Sequence, residues 1–111
     1  MKKQTFRLKR LNADFEIMDT AKVGDVVVPD TAYSYTAFSR QLAEGWGTHS
    51  DCARSIMYEI HLPKGAKVSR NLEHGGEVVM PRGAQYKVVD KKVHDNGDIE
   101  AVLEYILPKT N

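Results

Sequence analysis

The chain has one cysteine, Cys52, so no disulfide can close within it. It has no apolar run approaching the length of a membrane span, so no membrane partner is expected. No apolar core follows the basic start, so no secretory leader is read there and a cytoplasmic setting is the default expectation. Neither sign of charge is in excess: 16 basic and 15 acidic side chains leave a formal charge of +1. That balance argues against nucleic acid or an anionic membrane as the partner. His49, His61, His74 and His94 are scattered with no Cys-x-x-Cys beside them, so no metal-ligand spacing is present. A Walker phosphate loop and a Rossmann glycine fingerprint are also missing.

What is present fits one domain. The 111 residues suffice for a single modest core, and 41% hydrophobic with 28% charged residues is an ordinary globular balance. Lys2, Lys3, Arg7, Lys9 and Arg10 cluster at the start and are read as a solvated arm, although Gln4 to Leu8 also has the pattern of a first strand. Asn12 is a candidate cap for a short helix running to Asp19. Val26 to Val28 is a short strand stopped by Pro29, and Ala32 to Phe38 is a strand rich in aromatics. Ser39 is placed to cap a second short helix over Arg40 to Glu44, ended by Gly45.

Ser55 to Leu62 alternates, with Ile56, Tyr58, Ile60 and Leu62 on one face and Met57, Glu59 and His61 on the other. Ala66 to Val68 reads as a short strand and Ser69 to His74 as polar loop. Asp95-Asn96-Gly97-Asp98 is a hairpin turn in which Asn-Gly is expected to supply two positive φ values. It joins Gln85–Val93 to Ile99–Leu107, and the second of these strands alternates through Ile99, Ala101, Leu103, Tyr105 and Leu107. The sum is an α+β domain, a small β-sandwich-like arrangement with one or two short helices.

The segment richest in functional information is Gly75-Gly76-Glu77-Val78-Val79-Met80-Pro81-Arg82-Gly83, a strand ended by a Pro-Arg-Gly break. Pro81 belongs at a strand end because it has no N–H, and Gly83 can take φ > 0 to turn the chain. Glu77 at the start of that strand is either a catalytic carboxylate or an exposed strand-end charge; the residues alone leave both open. Trp46, flanked by glycines, is read as a loop tryptophan folded onto the core, and Cys52 as a spectator.

Four segments in order resemble the exoenzyme-type mono-ADP-ribosyltransferases, including compact versions in bacterial toxins and phage head-associated proteins. They are Thr5-Phe6-Arg7; Val23-Gly24-Asp25-Val26 through Asp30 to Ala37; Met57 to Leu62 with Pro63-Lys64-Gly65; and Glu77 to Gly83. The resemblance covers roughly residues 5 to 107. It implies an ADP-ribosyltransferase fold over the single domain 1–111, with NAD as substrate, a protein acceptor, and a phage particle or host protein as partner. It implies that Glu77 is the catalytic carboxylate, bonding the ribose hydroxyl and stabilising positive charge as the bond to nicotinamide breaks. Arg7 would offer a planar fork to the NAD diphosphate or a ribose-bound oxygen. Thr36 would fix its strand against the nicotinamide ribose. Tyr33 and Tyr35 are read either as flanks of the nicotinamide ring or as core.

Two departures stand out. The family's Ser-Thr-Ser motif is Tyr35-Thr36-Ala37 here, with Ser34 one position early and so on the opposite face. Gly75 stands where the family has Glu or Gln, two residues before the key carboxylate. These changes support a second expectation, a catalytically eroded module kept for binding, such as a phage structural or counter-defence protein. NAD hydrolysis without an acceptor is the variant expectation if the enzyme is active.

Overall fold

A computed structural model describes residues 3–30, 34–45, 53–66, 68–71 and 77–108, with the backbone alone at 45, 70, 71 and 77. Among the described residues there are eight strands and two short helices. The strands are β1 (Lys3–Lys9), β2 (Val26–Val27), β3 (Ser34–Ala37), β4 (Ile56–Leu62), β5 (Ser69–Asn71), β6 (Glu77–Met80), β7 (Tyr86–Val93) and β8 (Ile99–Tyr105). The helices are α1 (Asn12–Met18) and α2 (Arg40–Gly45). The strands join in one mixed sheet in the order β2-β7-β8-β4-β1-β3-β6-β5, in which β4 and β8 are the one parallel pair among the described residues.

That sheet must curl. β6 and β7 stand five places apart in it, roughly 24 Å if it were flat. Only Pro81 to Gln85 connect them, a span of at most about 20 Å even fully extended. The connection is also folded, with the Ala84 N–H donating to the Pro81 carbonyl at 3.3 Å and Gly83 at φ 64°. The two ends of the sheet therefore face each other across a core, which gives the sandwich-like α+β form. The core fills from the alternating faces: Ile56, Tyr58, Ile60 and Leu62 of β4; Ile99, Ala101, Leu103 and Tyr105 of β8; Val78 and Met80 of β6; Tyr86 and Val88 of β7. Phe15 and Met18 of α1 close one side of it. A second, smaller cluster under α2 holds Ala37, Ala43 and Met57, with Phe6, Leu8 and Leu42 packed against it.

Several boundaries depart from expectation. Asn12 is the first residue of α1, not its cap; Leu11 holds the cap position with no side-chain bond. Ser69–Asn71, expected as loop, is a strand because its backbone groups pair with Glu77–Val79 of β6. The Asp95–Asp98 turn has one positive φ, at Gly97 (92°), and none at Asn96. The Gly97 N–H donates to the His94 carbonyl and the His94 N–H to the Asp98 carbonyl. This is a type I turn followed by a left-handed glycine, which satisfies the hairpin with a single positive φ. Ser39 does cap α2, its Oγ accepting the Leu42 N–H at 3.2 Å. No helix among the described residues is long and apolar enough to cross a membrane.

Candidate functional site

β1, β3 and β6 lie side by side, and they are the strands that carry Arg7, Tyr35-Thr36 and Glu77. Phe6 is in register with Ala37, and Ala37 with Glu77. Arg7 and Thr36 are thus each one residue from a single row across the three strands. Two strand spacings put the backbones of Arg7 and Glu77 roughly 10 Å apart.

Alternation then divides the side chains. On β1, Phe6 and Leu8 face α2, while Thr5, Arg7 and Lys9 face the other way. Thr5 and Lys9 are buried and Arg7 is 25% exposed, so the expected solvated arm is a correction for this stretch: these residues are strand and ion pair. Arg7 donates Nε–H to Asp30 Oδ2 at 3.1 Å and Nη1–H to the Tyr35 carbonyl at 2.8 Å. Its Nη2 has no partner among the described residues.

Asp30 is the hub. Its Oδ1 accepts from Lys9 Nζ at 2.5 Å, and its Oδ2 accepts from the Ser34 hydroxyl at 2.8 Å as well as from Arg7. Lys9 also meets Asp14 Oδ1 at 3.1 Å. Burial pushes the Asp30 carboxyl upward, but the Lys9 bond, the Arg7 charge and the Ser34 hydroxyl outweigh it and hold the pKa below the ordinary value. Burial, reinforced by the nearby carboxylates, pushes the phenols of Tyr58 and Tyr86 far up, so both stay neutral. Both hydroxyls, with Asp14 Oδ2, are buried without a hydrogen-bond partner among the described residues.

Thr36 is fully buried, and its hydroxyl is taken up in the sheet. It donates to the Val78 carbonyl at 2.7 Å and receives Thr5 Oγ1 at 2.6 Å, while Thr5 also lies 2.9 Å from the Ala37 carbonyl. The group therefore ties β1, β3 and β6 together beside Glu77 through the backbone. Ser34 shares its buried face, as period-2 alternation requires, and Tyr35 points the other way, 55% exposed. The core reading of Tyr35 is thereby corrected. Tyr33, Gly75, Trp46 and Cys52 lie outside the described residues.

Sequence reasoning missed Asp30, Lys9, Asp14 and Ser34 as one network. One signal was available: Thr5, Arg7 and Lys9 alternate with Phe6 and Leu8, a pattern that gives β1 a polar inner face.

No protein-family model matches the chain, and no curated protein matches it. Solved structures do. Vis toxin, an ADP-ribosyltransferase from Vibrio splendidus, superposes with a TM-score of 0.72 at 16% identity, over 96% of this chain and 49% of Vis. Exoenzyme S from Pseudomonas aeruginosa, solved with human 14-3-3 protein beta and bound to carba-NAD, gives 0.68 at 16% identity, over 94% of this chain and 48% of its own. C3larvin toxin, an ADP-ribosyltransferase from Paenibacillus larvae, gives 0.62 at 13% identity, over 96% and 62%. The chain spans about half the length of the first two. These likenesses extend over nearly all of it, and the chain has the fold of the exoenzyme-type mono-ADP-ribosyltransferases.

Proposed function

We propose that the chain is an NAD-dependent mono-ADP-ribosyltransferase acting on a protein acceptor, with NAD hydrolysis when no acceptor is present. The observation that carries this reading is the adjacency of β1, β3 and β6, which brings the three motif-bearing segments into neighbouring strands. Arg7 would hold the NAD diphosphate through Nη2, which has no partner among the described residues and is a planar donor suited to phosphate oxygens. Glu77 would bond the ribose hydroxyl and stabilise the positive charge that develops as the nicotinamide bond breaks, the bonding electrons leaving with nicotinamide. Thr36 would act through the strands it ties. Tyr35, being exposed, is offered as a flank for the nicotinamide ring, and Tyr33 with it.

The measurement is nicotinamide release from NAD by the wild type and by Glu77→Gln. Loss of the carboxylate is expected to lower release by roughly 100-fold or more. Equal release from both proteins, or none from either, would sink the proposal.

A second reading, an eroded module that binds without catalysing, is favoured by Ala37, whose methyl is fully buried where the family has a hydroxyl. Binding of NAD without nicotinamide release would select it. A phage particle or host protein as partner, and a cytoplasmic site of action, belong to the proposal as well; co-purification from infected and uninfected cells is their test.

A further inference from the structure

We propose that Asp30 is a positioning residue of this site: by accepting the Arg7 Nε–H, it fixes the guanidinium so that Nη2 is left to grip the diphosphate of NAD. The inference rests on the NAD reading above and deepens it. An arginine side chain is flexible, and ordering it on a ligand costs affinity unless the protein has already ordered it. Here two of its three nitrogens are tied before any ligand arrives, Nε to Asp30 and Nη1 to the Tyr35 carbonyl. Only Nη2 is open among the described residues, and the side chain keeps its partial exposure.

Asp30 is itself held from several sides. Lys9 of β1 takes Oδ1, and Ser34 at the start of β3 shares Oδ2 with Arg7. Tyr58 of β4 and Tyr86 of β7 also feel its charge, and Asp14 of α1 reaches the group through Lys9. Lys9 has a consequence for Arg7. Because it competes for the Asp30 carboxylate, that carboxylate orients the guanidinium without cancelling its charge. The two cations and two carboxylates of the network balance in formal charge, and of the two cations Arg7 keeps the greater exposure, 25% against 9% for Lys9.

A purely structural staple between β1 and the segment before β3 would make the same bonds, so the test has to read ligand binding. NAD cleavage is followed at varied NAD for the wild type, Asp30→Asn, Asp30→Glu and Arg7→Lys, with melting temperatures alongside. The diphosphate is remote from the bond that breaks, so a loss there appears as binding lost equally in ground and transition states. Asp30→Asn is expected to raise KM for NAD about tenfold, the size of one hydrogen bond to a charged group, with kcat within about twofold. Asp30→Glu should recover part of that rise, and Arg7→Lys should reproduce its pattern.

A folded Asp30→Asn with unchanged KM, or with kcat lost and KM kept, overturns the inference. Should Asp30→Asn fail to fold, Ser34→Ala removes a single hydroxyl from the same carboxylate and is read the same way. It should raise KM about threefold, and an unchanged KM overturns the inference. A wild type that neither binds NAD by calorimetry nor releases nicotinamide overturns the NAD reading and this inference together. Turnover in the wild type with indifference at Asp30 overturns this inference alone.

Discussion

Two ion-pair networks sit on opposite faces of the same sheet, and they differ in what their charges have around them. On the inner face, Lys9, Asp14 and Asp30 are largely removed from water and share a hub. On the outer face, beside α2, Arg40 pairs with Glu44 and Glu100, and His94 lies 2.9 Å from Glu100. There the partners are a third to a half exposed. Charges taken out of water depend on one another, because losing one partner leaves the others uncompensated. Charges at the surface are replaced by water and salt, so the same number of contacts contributes far less. A count of salt bridges would rank the two networks alike; their burial separates them.

Lys9→Met breaks the comparison at its strong end. It leaves Asp14 and Asp30 buried without their shared cation, and a loss of ~3–5 kcal/mol is expected in denaturant unfolding. That is a large share of the ~5–15 kcal/mol a domain of this kind holds in total. A loss under about 1 kcal/mol would mean that water reaches the hub.

Acid sharpens the difference. The folded Asp30 carboxyl lies below its ordinary value of 3.8, so its contribution to stability is complete above that value and is lost as pH falls through the lower folded one. Glu100 is lowered too, by the His94 and Arg40 bonds, and loses its contribution in the same direction. Melting temperature should therefore stay level above about pH 5 and fall below about pH 4. Added salt should erase the share due to Glu100 and leave the share due to Asp30, because buried pairs are poorly screened. A wholly salt-sensitive acid limb would contradict the distinction.

At the weak end, Arg40→Ala should cost less than ~1 kcal/mol, and less again in high salt. A larger cost would place the outer network in the load that holds α2 to the sheet.

Much of the frame was written locally. The alternation in β4, and in β8 as far as Tyr105, could be read residue by residue, as could the cap at Ser39 and the Pro81–Gly83 break, because each depends on neighbours a few positions away; Leu107, expected on the same face, lies beyond β8 and is 41% exposed. The Glu77 segment and its order after Arg7 and Thr36 pointed to the fold for the same reason. Other features were illegible in the chain. Ser69–Asn71 is polar and became a strand only because the β6 backbone offered it partners. Thr36 looked like a contact for ligand, yet its hydroxyl is used up by Thr5 and Val78, which lie 31 and 42 residues away in sequence.

The sequence by itself determined the strand faces, the turns and the ordered motifs, since side-chain period and backbone preference are short-range properties. Only the tertiary structure decided that Arg7, Lys9, Asp14, Asp30 and Ser34 form one network, and that the expected terminal arm is the polar inner face of β1. Those groups come from three elements and the segment before β3. Their meeting depends on the order in which strands pair and on how far the sheet curls, and neither quantity is expressed in any stretch of neighbouring residues.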